Sequence, residues 1–112
     1  HPLMRTHTSE AAVLAAQMLA DYEGRDLLAP SDPPGLPREV LEHLAVPVLA
    51  LAGEFDTPWR RACAAALGRI APRGRHAGIA AAGHLANCDN PEAFDALAGE
   101  FLRKCSDPTK KA

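Results

Sequence analysis

Two ionisable side chains, Asp56 and His84, stand where chemistry could be done. Each follows a short apolar run that closes on a glycine: Val46–Ala52 ends at Gly53, with Asp56 in the loop beyond, and His76–Ala82 ends at Gly83, with His84 next. An imidazole can take and return a proton near neutral pH, and a carboxylate on its second nitrogen decides which nitrogen carries the hydrogen. Simpler uses stay open. Asp56 could cap the helix that Pro58 begins, and His84 could be a surface histidine in a glycine turn.

The elements that must carry these residues follow from the pattern around them. The stretch from Val46 to Pro91 repeats one plan twice, strand, loop, helix. Val46–Ala52 does not alternate between apolar and polar, which predicts a strand covered on both faces in a parallel sheet. Adjacent parallel strands bring the loops at their carboxyl ends together, and in open α/β sheets that edge carries ligands and catalytic groups.

The wording of these loops resembles the α/β-hydrolases. The likeness lies in VPVLALAGEFDTP from Val46, in Ala82-Gly-His-Leu-Ala-Asn, and in Asn90-Pro-Glu-Ala-Phe, and it covers about half the chain, Val46 to about Lys104. The resemblance implies that Asp56 is the acid and His84 the base of a nucleophile–His–Asp triad. The neighbouring Glu54 is a rival acid, but the family phrase prefers Asp56. It further implies an esterase-like activity on a small-molecule acyl substrate such as an ester or lactone. Dehalogenases and epoxide hydrolases of the family would use an aspartate nucleophile instead.

The nucleophile is missing from the sequence. This chemistry needs a Ser, Asp or Cys on a sharp strand-to-helix elbow, G-x-S-x-G or a relative. Ser9, Ser31 and Ser106 sit at a helix start, in a proline loop and in the tail, while Cys63 lies on a helix face and Cys88 lacks flanking glycines. His76, His84 and Asp89 have no paired ligand spacing, so neither a metal nor a cofactor is expected. Two parallel strands alone would leave unpaired apolar edges. The fold expected is therefore α/β, the C-terminal β-α-β-α part of a hydrolase sheet, a fragment inactive alone. The alternative is a non-catalytic module completed by a partner chain, with self-association through the exposed sheet edge.

Composition limits the remaining classes. At 112 residues, 47% hydrophobic and 23% charged, the chain suits one small soluble unit. A net charge of −2 with only Lys110-Lys111 as a basic pair argues against nucleic acid or an anionic membrane as partner. Cys63, Cys88 and Cys105 leave one thiol unpaired under any scheme, which favours a reducing, cytoplasmic setting. No apolar run is long enough for a membrane helix and no signal peptide is recognisable.

Along the chain, residues 1–45 read as a lid-end helix, a proline-rich linker and a short helix, 46–104 as the core part, and 105–112 as a loose polar tail. His1 to Thr8 looks like a ragged lead-in, and a first residue other than Met suggests a start inside a longer chain. Ala11, Leu14, Ala15, Met18, Leu19 and Tyr22 form an apolar stripe over Ser9–Glu23, capped by Thr8 or Ser9, stopped by Gly24 and expected to be buried. Prolines 30, 33, 34 and 37 rule out regular structure between Arg25 and Pro37. Pro37 opens a short helix through Val40, Leu41 and Leu44. Thr57-Pro58 starts a helix with Trp59, Cys63, Ala66, Leu67 and Ile70 inward, stopped by Pro72 and Gly74. Asn90-Pro91 starts the last helix, with Phe94, Leu97, Ala98, Phe101 and Leu102 on one side. His1, His7, His43 and His76 are left on the surface.

Overall fold

The computed structural model describes residues 6–28 and 35–107; His1, Ser31 and the Lys110-Lys111 pair lie outside the described residues. The chain is mixed α/β. In order it forms α1 (Ser9–Asp21), a 3₁₀ turn (Arg25–Leu28), α2 (Arg38–Glu42), β1 (Val48–Gly53), α3 (Pro58–Ile70), β2 (Gly74–Ile79), α4 (Ala86–Asp89) and α5 (Pro91–Ser106).

β1 and β2 pair in parallel, with Val48 opposite Gly74 and Gly53 opposite Ile79. Both strands differ in extent from the apolar runs. Pro47 has no N–H to give a ladder, so β1 opens at Val48 and leaves Val46 58% exposed. β2 starts two residues before His76, where the Gly74 N–H closes a turn onto the Ala71 carbonyl, and ends at Ile79. Ala80 and Ala81 belong to a turn, where Ala81 adopts φ 52°, a left-handed conformation that no strand holds. Nor are the strands covered on both faces throughout, since Arg75, His76 and Gly78 are exposed.

α3 lies across the face that carries His76. Gly68 sits so close that a Cβ there would come within 2.9 Å of the His76 backbone nitrogen and Cβ, and Gly74 is equally tight against the helix. The helix therefore turns a row of small residues to the sheet, with Ala64, Ala65, Leu67 and Gly68 half-buried. Trp59 and Cys63 do not face inward as the pattern suggested. They stand at about 140° around the helix from Ala64 and Gly68 respectively, and Trp59 is 76% exposed. On the opposite face, Ile79, Ala82 and Ala86 make a small core against Leu51, Ala93, Phe94 and Leu97. Ile79 is the one large side chain fully buried among the described residues.

The helix starts follow their local signals. Thr8, Thr57 and Asn90 each accept a backbone N–H of the first turn through the side chain, and Pro58 and Pro91 occupy the first turn. Pro37 is the cap of α2 rather than its first helical residue, and Leu44 lies past the helix end. α1 stops at Asp21, with Gly24 at φ 69° beyond it. Its apolar stripe is largely uncovered: only Ala11 and Ala15 are buried, while Leu14, Met18, Leu19 and Tyr22 are exposed. The neighbour of α1 is α4, a helix of one turn, which is too short to cover four turns of stripe. The turn at Arg25–Leu28 gives the proline segment some regular structure, and α5 carries helix through Cys105 and Ser106, where a loose tail was expected. Leu102, expected on the packed side of α5, is 61% exposed.

Candidate functional site

The loops after β1 and β2 are laced together before either functional side chain is reached. The Glu54 N–H donates to the Ile79 carbonyl at 2.9 Å and the Phe55 N–H to the Ala82 carbonyl at 2.8 Å, extending the ladder beyond the strands. The Glu54 carboxylate accepts the Ala81 N–H at 3.0 Å, holding the left-handed residue. Gly53 makes this closeness feasible, because a Cβ there would overlap the carbonyl oxygens of Ala82 and Gly83.

Asp56 and His84, 28 residues apart in sequence, meet in this laced region with Nδ1 of the ring 3.0 Å from Oδ2 of the carboxylate. Asp56 is 5% exposed and His84 has a third of its side chain open to solvent, so the histidine is half-buried rather than in an exposed loop. The other carboxylate oxygen accepts the Thr57 N–H at 2.7 Å and faces the Arg60 guanidinium at 3.5 Å. Burial alone would raise the pKa of this group. The hydrogen bond from His84, that from Thr57 and the charges of His84 and Arg60 outweigh burial, and the net effect holds Asp56 below the ordinary carboxylate range. An ionised carboxylate only accepts, so Nδ1 of His84 carries the hydrogen, and in the neutral form of the ring that leaves the lone pair on Nε2. Of the two uses left open by its sequence, Asp56 takes the partner of an imidazole; the cap of α3 is Thr57, whose N–H Asp56 accepts. Glu54 is a loop staple and makes no bond to the ring.

A second buried carboxylate had no sequence signal. Asp89, 8% exposed at the end of α4, accepts four hydrogen bonds. Oδ2 receives the N–H groups of Gly83 at 2.7 Å and His7 at 2.9 Å; Oδ1 receives the Thr8 N–H at 2.8 Å and its hydroxyl at 2.9 Å. Burial raises its pKa, and these donors more than reverse the effect, leaving it below the ordinary range. The lead-in at His7–Thr8 is therefore tied down, and the exposed His7 ring also lies 4.8 Å from that of Phe55, centroid to centroid. Partners more than 80 residues away in sequence left no local pattern from which Asp89 could be singled out.

The remaining candidates do not join the pair. Ser9 and Ser106 bond within their own helices, His43 bonds the Glu39 carbonyl, and all three cysteines are free thiols. Among the described residues no group of three or more His, Cys, Asp or Glu gathers to hold a metal, and no helix is long and apolar enough to cross a membrane. An open groove of about 450 Å³ lies beside α3, lined by Glu54, Arg61, Ala64, His76 and Gly78 among others, but neither Asp56 nor His84 borders it. Compared with protein-family models, with curated proteins and with solved structures, the chain matches none.

Proposed function

We propose that this chain supplies the acid, Asp56, and the base, His84, of a nucleophile–His–Asp relay in an acyl hydrolase of the α/β-hydrolase kind. The observation that carries the reading is the 3.0 Å contact between a buried, ionised Asp56 and the Nδ1 of His84, at the carboxyl edge of two parallel strands. Nε2 of His84 would take the proton of a nucleophile attacking an ester or lactone carbonyl, and return it to the leaving group. Asp56 would hold the ring in the productive tautomer and stabilise the imidazolium that forms. The proposed setting is cytoplasmic, and no cofactor enters the chemistry.

With no elbow nucleophile in the sequence, the relay is completed by further strands and a nucleophile from elsewhere. The extent of uncovered surface supports this. Among the described residues the sheet has two strands, and Leu14, Met18, Leu19, Tyr22 and Trp59 stand exposed. The same observation favours the second reading, a non-catalytic module that associates through its sheet edge with a partner chain. Hydrolysis of a generic acyl ester by the 112-residue chain and by His84→Ala should be indistinguishable from background. Joined to the segment bearing the nucleophile, the chain should restore turnover that His84→Ala removes. Full turnover with His84→Ala in that assembly would overturn the relay.

A further inference from the structure

Asp89 lies outside the pair described above, is buried, and meets only donors. Its position relative to one peptide unit gives it a use. The peptide joining Ala82 to Gly83 lies one peptide unit before the Gly83–His84 bond, and both of its polar ends are held. Its carbonyl accepts the Phe55 N–H at 2.8 Å, from the loop that carries Asp56. Its N–H donates to Asp89 at 2.7 Å. Holding that peptide fixes the start of Gly83, the residue through which the chain enters His84, and so limits where the ring can lie. Asp89 in turn is held by the His7 N–H and by both donors of Thr8, while the His7 ring rests against Phe55. The segment before α1 thus spans the two loops that bear the pair.

We propose that Asp89 is a positioning residue for His84, orienting the Ala82–Gly83 peptide so that the imidazole Nδ1 meets Asp56, with His7 and Thr8 fixing Asp89 itself. The inference rests on the reading of Asp56 and His84 as a relay, and it identifies a second carboxylate on which that relay's geometry depends. All four contacts of Asp89 are donors, so an asparagine there must turn its NH₂ toward one oxygen's pair of partners. The Thr8 hydroxyl can accept as well as donate, so Asp89→Asn keeps its oxygen on Gly83 and His7 and loses only the Thr8 N–H bond, whereas Asp89→Ala removes all four contacts.

The test is the tautomer of His84 in the histidine-¹⁵N-labelled chain, read from long-range ¹H–¹⁵N spectra at about pH 8, above the ordinary imidazole range. The unmodified chain should show the hydrogen on Nδ1 with a low-field Nδ1–H resonance. Asp56→Asn should abolish that signature; an unchanged tautomer in this variant would sink the pairing, and the relay with it. With that control in place, Asp89→Ala should lose most of the Nδ1–H population although Asp56 is intact. A lowered melting temperature with an unchanged His84 tautomer would overturn the positioning role alone. Should circular dichroism find Asp89→Ala unfolded, Thr8→Val carries the test, since it keeps the carboxylate and removes one of its donors together with the α1 cap. A partial loss of the Nδ1–H signature, restored by Thr8→Ser, supports the proposal; no change in Thr8→Val overturns it.

Discussion

Gly53 and Gly78 lie on adjacent strands, and replacing each with alanine should have opposite consequences. At Gly78 the nearest atom to a new Cβ is the Ala52 carbonyl oxygen at 4.0 Å, an ordinary contact. At Gly53 the Cβ would overlap two backbone oxygens and approach the Ala82 carbonyl carbon to 2.7 Å. Relief requires the Ala82–Gly83 segment to retreat by about 1 Å, because carbon and oxygen rest at roughly 3.3 Å or more. That retreat stretches the Phe55-to-Ala82 bond from 2.8 Å to beyond hydrogen-bonding distance. It also strains the Gly83-to-Asp89 bond. Losing one neutral and one charged hydrogen bond costs about 2–4 kcal/mol, a large share of the stability of a chain this size. With m near 1.5 kcal/mol/M, Gly53→Ala should lower the urea midpoint by about 2 M. Gly78→Ala should move the midpoint by less than about 0.5 M in either direction. Urea unfolding followed by circular dichroism measures both. Equal shifts for the two variants would refute the argument that the loops close on Gly53.

In the protein completed by a nucleophile, Asp56→Asn should cost about 10³–10⁴-fold in kcat, because an amide can hold the ring but neither selects its tautomer nor stabilises its cation. Glu54→Gln, which touches only the Ala81 N–H, should cost less than about tenfold; a reversed order would reassign the acid. Asp56 and Asp89 both titrate below the ordinary carboxylate value of about 3.9, so the stability they contribute is fully present above that pH and is lost as pH falls through their folded values. Unfolding free energies measured from pH 7 down to about pH 2 should therefore fall below about pH 4, and the fall should be shallower in Asp89→Asn. Thr57→Ala removes the α3 cap and should cost about 1 kcal/mol in thermal or urea unfolding, with little effect if the Thr57 side chain were idle.

What could be read in advance was local. Thr57-Pro58 and Asn90-Pro91 act within one helical turn, so their consequences lie within a few residues of the signal. Asp56 and His84 could be placed because strand direction alone decides on which edge the following loops emerge. Trp59 and Cys63 were misplaced because the rotation of α3 is set by how closely Gly68 and Gly74 let helix and strand approach. That is a property of the pair, invisible in the helix's own period. The stripe on α1 is periodic enough to mark a helix, yet burial needs a surface to meet, and α4 offers one turn. Asp89 was out of reach for a related reason. Its donors come from His7, Thr8 and Gly83, which become neighbours only when the fold closes.

Ala81 sets a limit on how this edge could be engineered. Its left-handed backbone costs an alanine about 1–2 kcal/mol, and thermostability design would replace it with glycine. Glycine gains freedom in the unfolded chain that costs about 0.4–1 kcal/mol, so about half of the anticipated benefit cancels. The native alanine meanwhile denies the turn the extra conformers that glycine would open, and the Glu54 carboxylate keeps its N–H on one side. The strained residue therefore acts as a detent: it narrows the routes by which the chain can leave β2, and the path to His84 stays short and stiff.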